Sequence, residues 1–311
     1  MSMAVVVTGS AGFLGQAVVA RLLAAGREVI GIDRRGGRPK GQGPSGVPGH
    51  TELHADLLGP DGIAAAAIRE ASGVIHLAGC PGVRDLRADV GWYRHRDNVL
   101  ATAAVLGSAG RRTTVVVATS SSIYGGSVGG RACVETDQLN PRGGYAASKA
   151  LAEALCRDHN EAGGRVVIAR PFTVAGEGQR SDMALASWIE AAQAGRPLRI
   201  LGGPERTRDI TDVRDAARAL VALLDADEPG AVNVGTGVPV RLDAMVEAIA
   251  TGLNVEVRTR VEPAGPEEVA DTRADTRRLA SLVGFVPVTD LTDVVARQIA
   301  AVLPQSGRVS A

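Results

Sequence analysis

The chain has no excess charge of either sign and no apolar run long enough to cross a bilayer. Its 311 residues carry 34 basic and 34 acidic side chains, so the formal net charge is zero. A balanced charge argues against nucleic acid or an acidic membrane surface as a partner. A membrane-spanning helix needs about 20 consecutive apolar residues, and no run approaches that length. Because we expect no signal peptide ahead of the first strand, the composition predicts a cytoplasmic protein.

Cysteine and lysine are both scarce. Cys80, Cys133 and Cys156 are odd in number and far apart, so their spacing fits neither a metal site nor a disulfide framework. We therefore expect free thiols and no bound metal. Lysine occurs only at positions 40 and 149. Since arginine is the usual cation of this chain, each lysine becomes a candidate for a special role.

What the chain does contain is a regular alternation of strand-like and helix-like segments. Such alternation is typical of a parallel sheet with helices on both faces. We predict strands at 4–8, 28–33, 52–55, 73–78, 114–120, 165–169 and 231–234. Helices are predicted near 13–25, 60–71, 97–110, 145–162, 213–225 and 242–252. Residues 34–50 are predicted to form an exposed loop, and the residues from 304 onward a frayed tail.

A glycine-rich turn joins the first predicted strand to the first predicted helix. Gly9 is expected to allow the tight turn, Gly12 to let the backbone approach a pyrophosphate, and Gly15 to pack the helix on the strand. The N-terminus of that helix offers N–H groups to phosphates. The second strand ends at Asp33, where a carboxylate binds ribose hydroxyls and repels a 2′-phosphate. The pattern predicts NAD, although Arg34 and Arg35, which follow Asp33, leave the choice against NADP open.

A tyrosine and a lysine stand four residues apart in the helix predicted at 145–162. Tyr145 and Lys149 therefore share one face of that helix. An ammonium group and the positive nicotinamide ring both favour the phenolate, so we predict a lowered pKa for Tyr145 and a role as general base. Lys149 is also placed to hold the nicotinamide ribose. A surface Tyr–Lys pair without function is the alternative.

Three hydroxyl side chains, Ser120, Ser121 and Ser122, follow the strand predicted at 114–120. A serine there can hydrogen-bond a substrate hydroxyl whose proton Tyr145 removes, and then stabilise the carbonyl oxygen that forms. The alternative is that the hydroxyls only satisfy the backbone of a turn, as serine clusters often do.

Taken together, these motifs resemble the extended short-chain dehydrogenase/reductases, in the branch of NAD-dependent nucleotide-sugar epimerases, dehydratases and reductases. The matching residues cover nearly the whole chain: 8–15, Asp33, 56–57, 76–79, Asn98, 120–125, Tyr145, Lys149, Glu153, 170–172, 176–179, 208–209, 233–237 and 284–287.

The resemblance implies an α/β fold, namely a Rossmann doubly wound parallel sheet with a smaller, interleaved C-terminal substrate-binding domain. Residues 1–171 plus about 206–237 would form the NAD-binding domain, and about 172–205 plus 238–311 the substrate-binding domain. A nucleotide-sugar substrate and a homodimer through the helices near 97–110 and 145–162 are also implied.

The resemblance assigns roles to individual residues as well. The expected catalytic residues are Ser120, Tyr145 and Lys149. The expected NAD contacts are Gly9, Gly12, Phe13, Leu14, Gly15, Asp33, Arg34, Asp56, Leu57, Leu77, Ala78, Gly79, Asn98, Tyr145, Lys149 and Pro171. The expected substrate contacts are Arg84, Ser121, Ser122, Thr173, Gln179 and Arg208.

Three functions stay open at this point. Dehydratases and decarboxylases of the family carry acidic residues after the catalytic serine or threonine, whereas this chain has Ser121 and Ser122. That favours epimerisation at C4 of a UDP-hexose or UDP-uronic acid through a transient 4-keto sugar. A nucleotide-sugar 4-ketoreductase using NAD(P)H needs the same catalytic residues. A non-catalytic NAD(H)-binding sensor or interaction protein is disfavoured, because Ser120, Tyr145 and Lys149 are all present.

The loop after the fourth predicted strand, and two positions at which this sequence differs from the family pattern, bear on the identity of the substrate. Residues 82–84 resemble a loop of epimerases that act on UDP-uronic acids, so Arg84 favours a uronate. Thr173 stands where the family usually has asparagine. Residues 265–268 lack the arginine that commonly grips a substrate phosphate. Arg208 is kept, and Arg206, Arg258 and Arg260 are candidates to compensate.

Overall fold

The computed structural model describes residues 4–35, 47–82, 84–85, 87–127 and 129–302. Within these ranges the strands are β1 Val5–Thr8, β2 Val29–Asp33, β3 His50–His54, β4 Gly73–His76, β5 Val115–Ala118, β6 Val166–Pro171, β7 Thr173–Ala175, β8 Leu198–Leu201, β9 Thr207–Asp212, β10 Gly230–Val234, β11 Pro239–Arg241 and β12 Thr259–Glu262. Most of the loop predicted at 34–50, and the tail from 304, lie outside the described residues.

The α-helices of the same residues are α1 Phe13–Ala24, α2 Ile63–Arg69, α3 Val90–Arg94, α4 Ala101–Ser108, α5 Gly143–Glu161, α6 Ala184–Gln193, α7 Val213–Ala226, α8 Leu242–Leu253, α9 Arg277–Val283 and α10 Leu291–Val302. A π-helical segment, His95–Leu100, joins α3 to α4, and a 3₁₀ turn spans Ser121–Tyr124. None of the helices in the described residues is long and apolar enough to span a membrane.

Seven parallel strands form the central sheet, in the order β10-β6-β5-β4-β1-β2-β3. They are the seven strands predicted from the sequence, and the α/β fold with a doubly wound parallel sheet is confirmed. The chain winds outward from β1 in one direction and from β4 in the other, and Thr8 is paired with His76 at this boundary. A parallel sheet opens a ligand crevice where its winding direction reverses, at the carboxyl ends of the strands. The fold therefore places the site above β1 and β4.

Helices cover both faces of the sheet, which explains why strands such as β1 and β5 consist mainly of apolar residues. Successive side chains of a strand point to opposite faces. Val5 and Val7 accordingly pack with α1, α7 and α9, whereas Val6 packs with α2, α4 and α5. Burial on both faces rewards an unbroken β-branched run, and this is the pattern from which the strands were predicted.

A second group of elements carries its own core beside the sheet. Strands β7, β9 and β11 form a three-stranded sheet, and β8 pairs with β12. Helices α6, α8 and α10 contribute Leu185, Ile189, Ile249 and Ile299 to the apolar cluster beneath them. The sequence did not predict these five strands, since they have three to six residues and mix polar with apolar side chains. Strand β9 lies in the segment 206–237 but pairs with β7 and β11, and the domain boundaries stay a prediction.

Two predicted helices differ in extent from the observed ones. The helix expected at 97–110 is the end of a longer helical segment that starts with α3 at Val90 and passes through the π-helical residues. The helix expected at 60–71 begins only at Ile63, because Gly62 before it has a left-handed backbone with φ of 67°. The left-handed backbone of Gly62 thus sets the start of α2.

Candidate active site

One cleft of about 1250 Å³ runs along the carboxyl ends of the central strands and below α6. Every expected catalytic residue, NAD contact and substrate contact lines this cleft, whereas Arg206, Arg258 and Arg260, the candidates to compensate for the missing arginine, are not among its lining residues. The tertiary structure thus brings together residues that lie up to 199 positions apart, from Gly9 to Arg208. Their individual roles stay proposals, which the local geometry below supports to different degrees.

The glycine turn fits a dinucleotide because side chains are excluded from it. Gly9 has a left-handed φ of 69°, and a Cβ there would lie 2.7 Å from the Ala78 nitrogen. We had expected Gly15 to bring the helix close to the strand. Instead, a Cβ on Gly15 would overlap the Gly9 carbonyl oxygen, so the absence of a side chain there makes room for the turn itself. Gly12 precedes α1 without a side chain that could accept the first N–H groups of the helix. Those N–H groups are therefore free to bind phosphate oxygens.

The carboxylate of Asp33 lies at the end of β2, beside this turn. It accepts hydrogen bonds from the backbone N–H groups of Ala11 at 3.2 Å and Arg35 at 2.9 Å. These two bonds fix the carboxylate at the place where the fold family binds a ribose. The glycine cradle, the free helix N-terminus and the oriented Asp33 together fit NAD.

Asn98 holds the loop after β4 against the helix that carries Tyr145. Its side-chain oxygen accepts from the Cys80 N–H at 2.8 Å, and its amide nitrogen donates to the Cys80 carbonyl at 3.1 Å and the Ser148 hydroxyl at 2.8 Å. A Cβ on Gly79 would lie only 2.5 Å from the Asn98 oxygen. The amide is thus engaged with protein groups, and its contribution to the site is to position Gly79 and Cys80.

Tyr145 and Lys149 lie on one face of α5 at the cleft, as their spacing predicted. Lys149 donates to the Ala118 carbonyl at 3.0 Å, and burial lowers its pKa to about 8. Burial raises the pKa of Tyr145, while the Ser120 hydroxyl and the charge of Arg180 act in the opposite direction. In the protein alone, loss of water around the phenol outweighs the neighbouring charges, and the lowering expected with NAD⁺ bound stays a prediction.

One of the two roles that we considered for the serine turn is observed, and the geometry leaves room for the other. Ser120 accepts the Ser122 backbone N–H at 3.1 Å and so stabilises the turn. The hydroxyl of Ser122, by contrast, is buried at the cleft and bonds to none of the described protein groups. A buried hydroxyl without a partner is costly, so it is suited to hydrogen-bond a ligand.

Beneath the serine turn lies a buried ion pair whose importance the sequence did not reveal. Arg170 and Glu153 are both fully buried and form a bidentate ion pair. Arg170 also donates to the Tyr124 hydroxyl at 2.6 Å, and that hydroxyl donates to Asn233 at 2.7 Å. This network joins α5, β6 and β10 to the turn that carries Ser120. It is suited to hold Ser120 and Tyr145 at a constant separation.

At the far end of the cleft, several arginines converge on one carboxylate. Arg84 forms a bidentate ion pair with Glu268, and an Arg208 nitrogen lies 3.7 Å from the same carboxylate. Burial acts to raise the pKa of Glu268, but Arg84, Arg208 and Arg206 together hold it below its usual range. Arg208 also donates to the Val269 and Ala270 carbonyls. The local charge stays positive, which favours an anionic ligand.

Two other substrate candidates, Gln179 and Thr173, lie in the cleft wall, and the sequence analysis did not select a third residue there, Arg180. Gln179 donates to the Val174 carbonyl and accepts from Gln298 at 2.6 Å, so its amide is fixed in the cleft wall. Thr173 begins β7 and also faces the cleft. Arg180, which we did not select, lines the cleft and acts on Tyr145 through its charge. Its position directly after Gln179 was the available signal.

The sequence analysis also made predictions about the three cysteines and about bound metal. Cys80, Cys133 and Cys156 are buried free thiols. Among the described residues no cluster of His, Cys, Asp or Glu is arranged to hold a metal ion.

The chain matches the model of the "NAD dependent epimerase/dehydratase family" over residues 5–235. The chain belongs to this family. The resemblance seen in the sequence is therefore confirmed, the protein is an enzyme of this family, and NAD is its cofactor.

Individual relatives differ in the reaction that their names state. A solved structure of MoeE5 in complex with UDP-glucose and NAD is 35% identical, with 96% of this chain and 98% of that chain covered and a TM-score of 0.84. The UDP-glucuronic acid 4-epimerase from Bacillus cereus, in complex with UDP-glucuronic acid and NAD, is 25% identical with the same coverage and a TM-score of 0.86. The GDP-6-deoxy-D-mannose reductase of Pseudomonas aeruginosa is 31% identical over 75% of this chain and 80% of its own length.

One acid-sensitive group lies directly under the cleft. The Thr8 hydroxyl donates to His76 Nδ1 at 2.7 Å. The Thr102 hydroxyl donates its proton to the Asn98 carbonyl. Its oxygen, 3.1 Å from His76 Nε2, must therefore accept a hydrogen bond from that nitrogen. His76 is therefore neutral with its proton on Nε2. Burial, and next the charge of Lys149, lower its pKa from 6.5 to about 3.

Acid is expected to destabilise the protein through His76. Between about pH 6.5 and pH 3 the unfolded chain binds a proton at His76 that the folded protein does not. Stability is therefore full above this window and falls as the pH drops, by about 2 kcal/mol from this group at about pH 5. Urea unfolding at about pH 7.5 and pH 5 measures the difference. We expect His76→Gln to reduce it and His95→Gln, at an exposed histidine, to leave it unchanged; equal pH effects in both variants would contradict the assignment.

Proposed function

We propose that this protein is an NAD-dependent 4-epimerase of a nucleoside-diphosphate sugar, with a UDP-uronic acid as the preferred substrate over a UDP-hexose. The observation that carries the proposal is the meeting of Ser120, Tyr145 and Lys149 in one cleft with a dinucleotide turn. Serines at 121 and 122 replace the carboxylates that elimination would need there. The site therefore has groups for oxidising and reducing an alcohol, and no carboxylate at the two positions after Ser120 where the family's dehydratases carry one.

The protein's own groups support reversible oxidation at one sugar carbon. Bound NAD would supply the hydride acceptor, and in its reduced form the hydride donor, for C4. Tyr145 takes the C4 hydroxyl proton as general base and gives it back as general acid, while Ser120 hydrogen-bonds the same oxygen. Lys149 holds the cofactor ribose and adds positive charge beside the phenol. Rotation of the 4-keto sugar within the cleft would turn its other face toward the hydride donor, and reduction from that face would invert C4.

The distribution of charge supports an anionic nucleotide sugar. Arg84, Arg206 and Arg208 surround the single carboxylate of Glu268 at one part of the site. Arginine is suited to bind both phosphate and carboxylate oxygens through paired hydrogen bonds. Arg180 and the free hydroxyl of Ser122 lie nearer to the catalytic residues. Because Arg180 is paired with Asp182, a uronate carboxylate there would hydrogen-bond to Ser122 and compete with Asp182 for Arg180. We assign the first group of arginines to the diphosphate and the second set to the sugar.

A 4-ketoreductase is the second candidate. The observation in its favour is the likeness to a protein named as a reductase, at 31% identity. It would use the same three catalytic residues but consume one reduced nicotinamide in each turnover. A non-catalytic NAD(H)-binding role is the third candidate.

Partners beyond the substrate also remain proposals. Trp92, Leu100 and Leu151 are exposed on α3, the π-helical segment and α5, with 60%, 44% and 54% of their surface accessible. Large apolar side chains grouped in this way favour a protein contact, so we propose a homodimer through these helices. The cytoplasmic location stays a prediction from the sequence.

The function is tested with the purified protein and no added cofactor. We expect UDP-glucuronic acid to be converted to UDP-galacturonic acid, detected by chromatography with mass detection, and expect denaturation to release bound NAD. UDP-glucose, incubated in parallel, should react more slowly if the uronate assignment is correct. Turnover of a 4-keto sugar only with added NADH or NADPH would favour the ketoreductase. Binding of NAD with no turnover of either kind would favour the non-catalytic role.

A further inference from the structure

Arginines and aspartates form an ionic network where the cleft meets the end of β2. Arg34 donates to both carboxylate oxygens of Asp97, at 2.9 and 2.7 Å. Arg96 bridges the same carboxylate, at 2.7 Å, and that of Asp56, at 2.5 Å. Asp97 is 5% exposed, whereas 47% of the Arg34 side chain is accessible. The π-helical segment thus presents a buried anion that holds a partly exposed cation.

This network concerns the choice between NAD and NADP. A carboxylate after the second strand binds the ribose 2′-hydroxyl of NAD, whereas an arginine nearby accommodates the 2′-phosphate of NADP. Asp33 and Arg34 are adjacent in sequence and would favour opposite cofactors. Arg35, the next residue, has its Nε 3.4 Å from the Asp33 carboxylate. Asp33 therefore already has a cation beside it, and Arg34 is the remaining candidate for a phosphate.

We infer that Asp97 makes the site selective for NAD over NADP, by binding both donors that Arg34 would offer to a 2′-phosphate. In this network three aspartates, at 33, 56 and 97, balance the three arginines at 34, 35 and 96. A dianionic 2′-phosphate would therefore be repelled by the Asp33 carboxylate, and no arginine of this network would have an unpaired charge left to bind it. Asp97 is thus a positioning residue that acts through Arg34. The inference rests on the family's cofactor and not on the proposed reaction.

Asp97→Asn tests this inference by removing one negative charge. We expect the dissociation constant of NADP⁺ to fall by about tenfold or more, since a charge-assisted arginine–phosphate contact becomes available. The dissociation constant of NAD⁺ should change by less than about threefold, because Asp33 is intact. Both are measured by calorimetric titration of protein from which bound nucleotide has been removed. Asp158→Asn, at an exposed position of α5, is the matched control and should change neither value.

Arg34 supplies an independent test. Arg34→Ala alone should leave NADP⁺ affinity within about twofold of the original protein, since Asp97 already occupies this guanidinium. Combined with Asp97→Asn, it should cancel the gain for NADP⁺. An unchanged ratio of the two dissociation constants in folded Asp97→Asn protein would overturn the inference. If circular dichroism shows that Asp97→Asn does not fold, Arg34→Ala decides alone: unchanged NADP⁺ affinity supports the inference, and weakened affinity overturns it.

Discussion

Replacing Tyr145 with phenylalanine is expected to lower turnover of the nucleotide sugar by about 10²- to 10⁴-fold, the range that a positioned general acid–base contributes. The change removes one hydroxyl and keeps the ring, so the packing on α5 is preserved. Burial raises the pKa of this hydroxyl in the protein alone, and the neighbouring Ser120 and Arg180 counteract it. No other phenol lines the cleft among the described residues, so no second group of this kind can replace it.

The measurement separates chemistry from binding. Steady-state turnover of UDP-glucuronic acid gives the loss in kcat, while calorimetry gives the affinity for NAD⁺, which should change by less than about threefold. Tyr93→Phe is the matched control, because Tyr93 lies on α3 outside the cleft. Turnover that survives Tyr145→Phe at near its original rate would exclude Tyr145 as the base. Loss of NAD binding together with turnover would show that Tyr145 holds the cofactor.

Glu153→Gln is expected to produce the largest loss of stability among single changes near the site. Removing one charge of a buried ion pair leaves the other uncompensated and costs about 3–5 kcal/mol. Here Arg170 and Glu153 are both fully buried, and Arg170 has hydrogen bonds to Tyr124 and the Glu135 carbonyl as its other partners. The loss should appear as a lower free energy of unfolding in urea.

Two further variants make the effect specific to the pair. Glu161→Gln, at the exposed end of the same helix, should change the free energy of unfolding by less than about 0.5 kcal/mol. Replacing both partners, with Glu153→Leu and Arg170→Met, should restore much of the loss, since no lone charge is then buried. Equal stability of Glu153→Gln and Glu161→Gln would contradict the predicted role of the pair.

The consequences of this network extend to catalysis. It links α5, which carries Tyr145 and Lys149, to the turn that carries Ser120 through Tyr124. A catalytic hydroxyl pair must keep its separation within a fraction of an ångström to act on one substrate oxygen. We therefore regard Arg170 and Glu153 as positioning residues for the proposed reaction.

The sequence was sufficient for those parts of the protein in which local pattern and tertiary role agree. Strands β1, β4 and β5 are largely buried on both faces, and that environment favours the short apolar runs from which they were predicted. The turn at Gly9 was equally clear, because its left-handed backbone requires glycine. Tyr145 and Lys149 were placed on one face by helical spacing alone.

Long-range packing decided what such patterns do not contain. The short strands β8 and β12 exist because they pair with each other, 61 residues apart at Leu198 and Thr259. The raised pKa of Tyr145 in the protein alone comes from its burial in the tertiary structure, which outweighs the Ser120 hydrogen bond and the charge of Arg180.

The sequence by itself determined the family, the parallel sheet, the dinucleotide turn and the set of candidate residues, because each depends on residues close together in the chain. Only the tertiary structure decided which charges meet. Arg34 faces Asp97 across 63 positions, and Arg84 faces Glu268 across 184. Electrostatic interaction depends on distance in space and on local burial, and neither can be obtained from the order of residues alone.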